Sequence, residues 1–406
     1  MISQIERDLP EYHGLLSSSL RTLFTRIEQS KLNVNRFMLL QNGKATAEFY
    51  RVPYRKESPQ LLFSLSKSFT SIAIGIARDE QYLNLNDKVS AFFPEQLPDS
   101  VSENLSRMTI HHLLSMNAGH HDNIYGDVAQ EADWVKAYLA AEVVRQPGTY
   151  YRYSTHSTYM LSAIIEKATG QNLLDFLRPR LFEPLGVTQP SWETCPMGIA
   201  AGGMGLSIPF EGVAKFGQML LDKGVFNGRR IVSEEYIRLA TAKQSDTSRD
   251  EKRVDFAQGY GYQFFLCRDG CFMGNGGYGQ LCFVAPHRNI VIAAASSFSS
   301  MVQLQSLLDL LYEHVIHPIS ADRLPARKDH PNELHEYTSS IAYPFPEAGG
   351  LPDDRPVQLD GGQYSIEDNL QHIKRVGFRT EGKRFLNFKL HLRIKPTRPI
   401  YSSGTS

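Results

Sequence analysis

Ser64 and Lys67 stand three positions apart in "LLFSLSKSFTSIAIG" (61–75), where an apolar stretch begins. A serine hydroxyl is a poor nucleophile until a neighbouring base takes its proton. Lysine serves as that base only when burial lowers its pKa enough to leave a neutral amine. Positions three apart share one side of a helix, a turn from each other. Leu65, Phe69, Ile72 and Ile76 recur at the spacing of one buried face, with Ser64 and Lys67 opposite. Ser71 and Gly75 are small, continue the Ser64 side and leave room for other chain. The competing reading is a serine N-cap, a favoured residue there, below a solvated lysine. Taken alone, the tetrapeptide favours the structural reading.

The elements that must position this pair are legible in outline. In 406 residues, 43 Lys+Arg balance 43 Asp+Glu, which gives no electrostatic footprint for nucleic acid or an anionic membrane. No nucleic-acid or membrane partner is therefore expected. No apolar run reaches the length of a membrane span. The start, "MISQIERDLPEYHGLL", lacks the basic-then-apolar pattern of a secretory signal, so a cytoplasmic location is expected. Cys195, Cys267, Cys271 and Cys282 do not form paired C-x2-C sets, and thiols are expected. Cys267 and Cys271 flank "RDG", read as a hairpin turn that would let them face each other across two strands. The doublets His111-His112 and His120-His121 lack a carboxylate at ligand spacing and read as structural. No metal and no cofactor are expected.

"RFMLLQNGKATAEFYR" sets Asn-Gly between two apolar runs, a strong hairpin signal, after an N-terminal helix. From 70 to about 245 most segments read as helix. From 258 the sequence turns aromatic and β-branched, as strands are, and a helix follows at roughly 300–316. Strands at both ends then bracket a helical middle, which predicts one sheet built from distant segments with an all-α insertion. Residues 319–355, rich in Pro and charge, read as a linker. Over 356–406, "FLNFKLHLRI" alternates apolar and basic residues after a "TEGK" turn, which predicts a small β-rich C-terminal extension.

Further segments extend the case for Ser64. "QPGTYYRYSTHSTYMLSAII" places Tyr153 between a Pro-Gly turn and an apolar helix, and "MGNGGYGQLCFVAP" sets a glycine-rich turn against a strand. With "SLSK", "LNLNDKVSAFFPE", "MTIHHLLSMNAG" and "AAGGMGLSIPFEGVAKFGQMLL", the chain over about 20–318 resembles the serine β-lactamase and penicillin-binding protein superfamily. The resemblance is to the class C β-lactamase-related branch, which includes DD-peptidases, family VIII carboxylesterases and amide hydrolases. It implies an α/β, β-lactamase-like fold over 1–318, with an antiparallel sheet flanked by helices. The sheet part is expected at about 1–63 and 250–318, and the inserted helical part at about 64–249.

The resemblance also implies roles. Ser64 would be acylated, Lys67 would be its base and Tyr153 would pass the proton to the leaving group. The backbone N–H groups of Ser64 and Tyr278 would form the oxyanion hole, with Gly276 and Gly277 letting the strand approach the substrate. Two positions depart from the pattern. The second motif, commonly Y-x-N, reads Tyr153-Ser154-Thr155, and Thr155 keeps a hydroxyl for Lys67 but offers no amide N–H. The third motif usually opens with Lys or His, and here Asn275 cannot hold a carboxylate by charge. The expected activity is therefore a serine hydrolase acting on a small ester or amide, preferring short neutral acyl groups. A β-lactamase or DD-peptidase acting on β-lactams or peptides is the alternative, and a catalytically silent binding protein is the next. Oligomeric state is not legible.

Three decoys are set aside. "GNGGYG" fits a dinucleotide fingerprint, but a strand follows where a helix is required. Ser245-Asp246-Thr247 faintly resembles S-D-N but falls late in the chain, in a stretch read as a polar loop. The G-x-S-x-G elbow of α/β-hydrolases is missing.

Overall fold

Val34–Gln41 (β1) carries Phe37 and Leu39 alternating with Met38 and Leu40, and all four are buried. A strand covered on both faces reads as such a continuous apolar run. Asn42 and Gly43 both take positive φ, 51° and 78°, as a two-residue hairpin turn requires. The chain returns as β2 (Lys44–Tyr50). The other strands of this sheet come from far along the sequence: β3 (Phe265–Leu266), β4 (Phe272–Gly276), β5 (Gln280–Ala285) and β6 (Ile290–Ser296). All neighbours are antiparallel, in the order β2-β1-β6-β5-β4-β3. Phe37 pairs with Ala294 and Leu39 with Ile292, so the two ends of the sequence close one sheet around the inserted middle.

This computed structural model describes residues 5–121, 124–249, 251–325 and 330–343, with three later strands. The helices that frame the sheet are α1 (Ser17–Gln29), α2 (Ser66–Asp79), α3 (Thr155–Thr169), α4 (Glu211–Leu221), α5 (Val302–Leu311) and α6 (His330–Ser340). One sheet face packs on α1 and α5 through Leu20, Phe24, Leu304 and Leu308. Phe24 meets Phe37 and Phe49 edge to face, each at 5.2 Å. The opposite face packs on the inserted region, where Phe69 of α2 stacks on Phe216 of α4 at 3.9 Å. Burying a side chain of this size contributes roughly 1.5–3 kcal/mol.

Helix α2 differs from a two-faced amphipathic helix. Ser66 to Ala77 are all buried, so its polar side is enclosed as well. Enclosure is tolerable because the hydroxyls are paired. Ser68 donates to the Gln263 carbonyl at 2.9 Å, Thr70 to the Gly202 carbonyl at 2.8 Å, and Ser71 lies 3.0 Å from the Tyr236 hydroxyl. Two strands inside the stretch read as helical, Ser191–Trp192 and Leu206–Pro209, join Pro59–Leu61 from before it in a small antiparallel sheet. Strands of two to four residues are too short to show a period.

The protein forms two compact units, Met1–Tyr343 and Pro344–Ser406. The first reaches past 318 into the segment read as linker. There α6 places Leu334 in the core shared with α1, followed by buried Ile341. The Tyr343 hydroxyl donates to Asn35 Oδ1 at 2.5 Å. In the second unit Gln363–Ser365, Ile373–Thr380 and Leu386–Leu392 pair antiparallel, with Phe378 opposite Phe388. The "TEGK" turn after Thr380 and the side-chain facing read for 388–394 lie outside the described residues. Among those described, no helix is long and apolar enough to cross a membrane.

Candidate active site

Ser64 lies in a single 3-10 turn, Phe63–Leu65, that leads into α2, one step before the helix proper. The turn is strained. Phe63 has φ 49°, a region an aromatic residue rarely enters. Tyr278 is in the same condition at φ 61°, and the two rings meet at 5.0 Å. Paired outliers of this kind cluster where a surrounding structure holds a site in place. Between them runs the end of β4. A Cβ on Gly276 would lie 2.2 Å from the Leu62 carbonyl oxygen and 3.1 Å from the Ser64 nitrogen, so only glycine lets the strand pass this close. Asn275 precedes it in β4, and Gly277 and Tyr278 follow in a tight turn.

Lys67 is buried, and its Nζ is within 3.1 Å of Ser64 Oγ and 3.2 Å of Thr155 Oγ1. It also donates to the Gly203 carbonyl at 2.7 Å. Desolvation lowers its pKa to about 7. Tyr153 immediately precedes Ser154, the α3 N-cap, whose side chain accepts from the Ser157 N–H. That cap sets the entry angle of the chain and so places Tyr153 and Thr155 on the two sides of one residue. Burial raises the Tyr153 phenol to about 12, while a hydrogen bond with Ser64 acts the other way. Lys67 Nζ lies 4.9 Å from the centre of the Tyr153 ring.

Ser64, Tyr153 and Asn275 line a cavity of about 410 Å³ together with Tyr151, Arg253 and Phe265. The amide nitrogen of Asn275 has no partner there among the described residues. A second cavity adjoins it, sharing Tyr151, Tyr153, Thr247 and Glu251. Of the residues read from sequence, Ser64, Lys67, Tyr153 and Thr155 are brought into one cluster, and Asn275, Gly276, Gly277 and Tyr278 flank it. Gly203 was not singled out by sequence. Its contact is a backbone one, and a Cβ there would lie 2.5 Å from the Thr155 carbonyl oxygen. Tyr151, Arg253 and Phe265 were not singled out either, because they gather from separate segments with no motif between them.

The stretch around Ser245 is a loop, as read, with Asp246 exposed, but Ser245 and Thr247 within it are buried. Ser245 Oγ donates to the Ser115 carbonyl at 2.7 Å and accepts from Asn117 at 3.0 Å. Elsewhere His112 Nδ1 accepts from the Thr109 N–H at 3.0 Å, and His111 Nδ1 sits 2.8 Å from the Tyr262 hydroxyl. The four cysteines are buried thiols. Among the described residues no group of three or more His, Cys, Asp or Glu is placed to hold a metal ion.

The comparisons with known proteins bear on the family and the fold. The family described as Beta-lactamase matches residues 36–311. The 6-aminohexanoate-dimer hydrolase of Paenarthrobacter ureafaciens is 26% identical over 307 residues, 70% of this chain and 77% of that protein. Other curated matches, such as penicillin-binding protein 4* of Bacillus subtilis, cover about a third of this chain (34%) and 31% of that protein. Among solved structures, the octameric penicillin-binding protein homologue from Pyrococcus abyssi superposes with a TM-score of 0.61 at 19% identity, over 76% of this chain and 79% of that one. A family VIII carboxylesterase gives 0.56 at 17% identity, over 78% and 100%. At those identities the structural likeness speaks for the fold.

Proposed function

The chain belongs to the Beta-lactamase family, and from that premise we propose that it is a serine hydrolase that forms an acyl-enzyme on Ser64 and acts on small esters or amides. The observation that carries the reading is the buried Lys67 amine within 3.1 Å of Ser64 Oγ. In its neutral form the amine accepts the hydroxyl proton as Oγ attacks the substrate carbonyl. The Tyr153 phenol, protonated at neutral pH, donates to the departing alkoxide or amine and is recharged from Lys67. Water then attacks the acyl-enzyme, with the same groups working in reverse.

Negative charge developing on the carbonyl oxygen would meet the backbone N–H groups of Ser64 and Tyr278. Neither donates to a backbone carbonyl of another element among the described residues. Gly276 keeps β4 near the Ser64 turn, which supports a preorganised pair of donors. The names of relatives support the choice of substrate, since one is a 6-aminohexanoate-dimer hydrolase and another a family VIII carboxylesterase. Asn275 offers a neutral donor where related enzymes that use β-lactams place a cation, which disfavours the β-lactamase and peptidase readings.

The test is direct. Incubation with a fluorophosphonate followed by intact-mass measurement should add one adduct to the wild type and none to Ser64→Ala. Turnover of p-nitrophenyl butyrate should vanish in the same variant while its thermal unfolding stays close to wild type. Full turnover or an undiminished adduct in Ser64→Ala overturns the assignment.

A further inference from the structure

Arg253 lines the cavity that opens on Ser64, beside Tyr151, Phe256 and Phe265. Its guanidinium is fixed before any ligand arrives. Nε donates to Glu251 Oε1 at 2.9 Å, Nη2 donates to Glu251 Oε2, and the group lies 3.7 Å from the centre of the Phe256 ring. What this pair can still bind follows from bond counting. A carboxylate has about four acceptor sites. Those of Glu251 take two bonds from the Arg253 side chain and one from the Arg253 backbone N–H at 2.9 Å. A guanidinium has five N–H donors, and Glu251 engages only Nε and Nη2. Most of the unused capacity of the pair is donor capacity, and Nη1 is wholly uncommitted among the described residues.

The surroundings favour the same sign. Arg249 lines the adjoining cavity, 5.8 Å from the centre of the Tyr150 ring, while Asp246 there is paired with Lys243 at 3.0 Å. Tyr151 lines both cavities, together with Tyr153 and Glu251. A planar, preoriented guanidinium beside aromatic walls suits a carboxylate approaching along its free edge.

We infer that Arg253 sets the specificity of this site by receiving a carboxylate carried on a flexible chain, in the cavity it shares with Ser64. The expectation of neutral substrates rested on Asn275 and Thr155, and Arg253, though paired with Glu251, offers a free guanidinium edge from a different segment.

The inference rests on Ser64 being the nucleophile, and two readouts keep the questions apart. The first compares kcat/KM for mono-p-nitrophenyl adipate, which is anionic, with its neutral methyl ester of equal length. Arg253→Gln should lower the ratio of anionic to neutral ester by about tenfold to a hundredfold, the range for a charge-assisted hydrogen bond. Arg253→Lys, which keeps the charge without the fork, should recover part of it. An unchanged ratio in Arg253→Gln overturns the proposal. The second readout needs no turnover: calorimetric binding of monomethyl adipate to Ser64→Ala, with and without Arg253→Gln. If the wild type hydrolyses neither ester, the Ser64 reading fails, and this measurement still decides on Arg253. Weaker binding without the arginine supports it, and equal binding overturns it.

Discussion

Lys67 can be a base only because the fold denies it water, and that makes pH the sharpest test of a single residue. Its pKa, lowered by burial to about 7, divides an acid range where Nζ is charged from a higher range where it can accept a proton. On the proposed reading, kcat/KM for a neutral ester should rise through about pH 7 and then level off, since the free enzyme's essential base governs that limb. Lys67→Arg should lose on the order of 10²–10⁴-fold, the usual worth of a general base, because a guanidinium stays protonated. A flat profile between pH 5.5 and 8.5, or an active arginine variant, would place the base elsewhere. Thr155 and the Gly203 carbonyl hold Nζ from the far side, so the amine is aimed as well as desolvated.

At the scale of elements, the site depends on β4 pressing against the Ser64 turn. Gly276→Ala would set a methyl carbon 2.2 Å from the Leu62 carbonyl oxygen, a backbone atom that no rotamer can move aside. The strand or the turn must shift, and a misplacement near 1 Å costs about a hundredfold in rate. Fluorophosphonate labelling and ester turnover should fall together by about that factor, with a lower melting temperature. Wild-type labelling would show that the approach of β4 is not what orders the turn. The same element separates what was legible in sequence from what was not. The hairpin of β1 and β2 declared itself through Asn42-Gly43, and α2 through Leu65, Phe69, Ile72 and Ile76, because a turn type and a period are local properties. The 3-10 turn at Ser64, the buried polar side of α2 and the contact with Gly203 were not legible, since each is imposed by chain arriving from over a hundred residues away. Helix α6 hid inside a Pro- and charge-rich segment, where Leu334 and Ile341 are the apolar anchors that reveal it.

For the molecule as a whole, the inserted helical region carries a liability that acid should expose. His120 and His156 are buried, at 3% and 1% exposure. His156 is enclosed by Tyr125, Trp134 and Tyr159, and neither of its ring nitrogens has a hydrogen-bond partner among the described residues. Desolvation, with repulsion from Lys67 adding to it, lowers His156 to about 4, and desolvation does the same to His120. In the unfolded chain both return to about 6.5. The folded pKa is the lower one, so the unfolded state binds more protons and stability drains away as pH falls from about 6.5 toward 4. Each histidine is worth roughly 3 kcal/mol across that window by the conversion of pKa to free energy, against a total of about 5–15 kcal/mol for a typical protein. The melting temperature should therefore fall steeply between pH 6.5 and 4.5, above the range in which most carboxylates titrate. His156→Leu removes one of these groups, leaving His120 and the similarly lowered His112, without orphaning a partner, and it should flatten part of that slope while changing the neutral-pH melting temperature little. A melting temperature level from pH 7 to 4.5 in the wild type, or an equal slope in the variant, would mean that the buried imidazoles do not govern the acid limit of this fold.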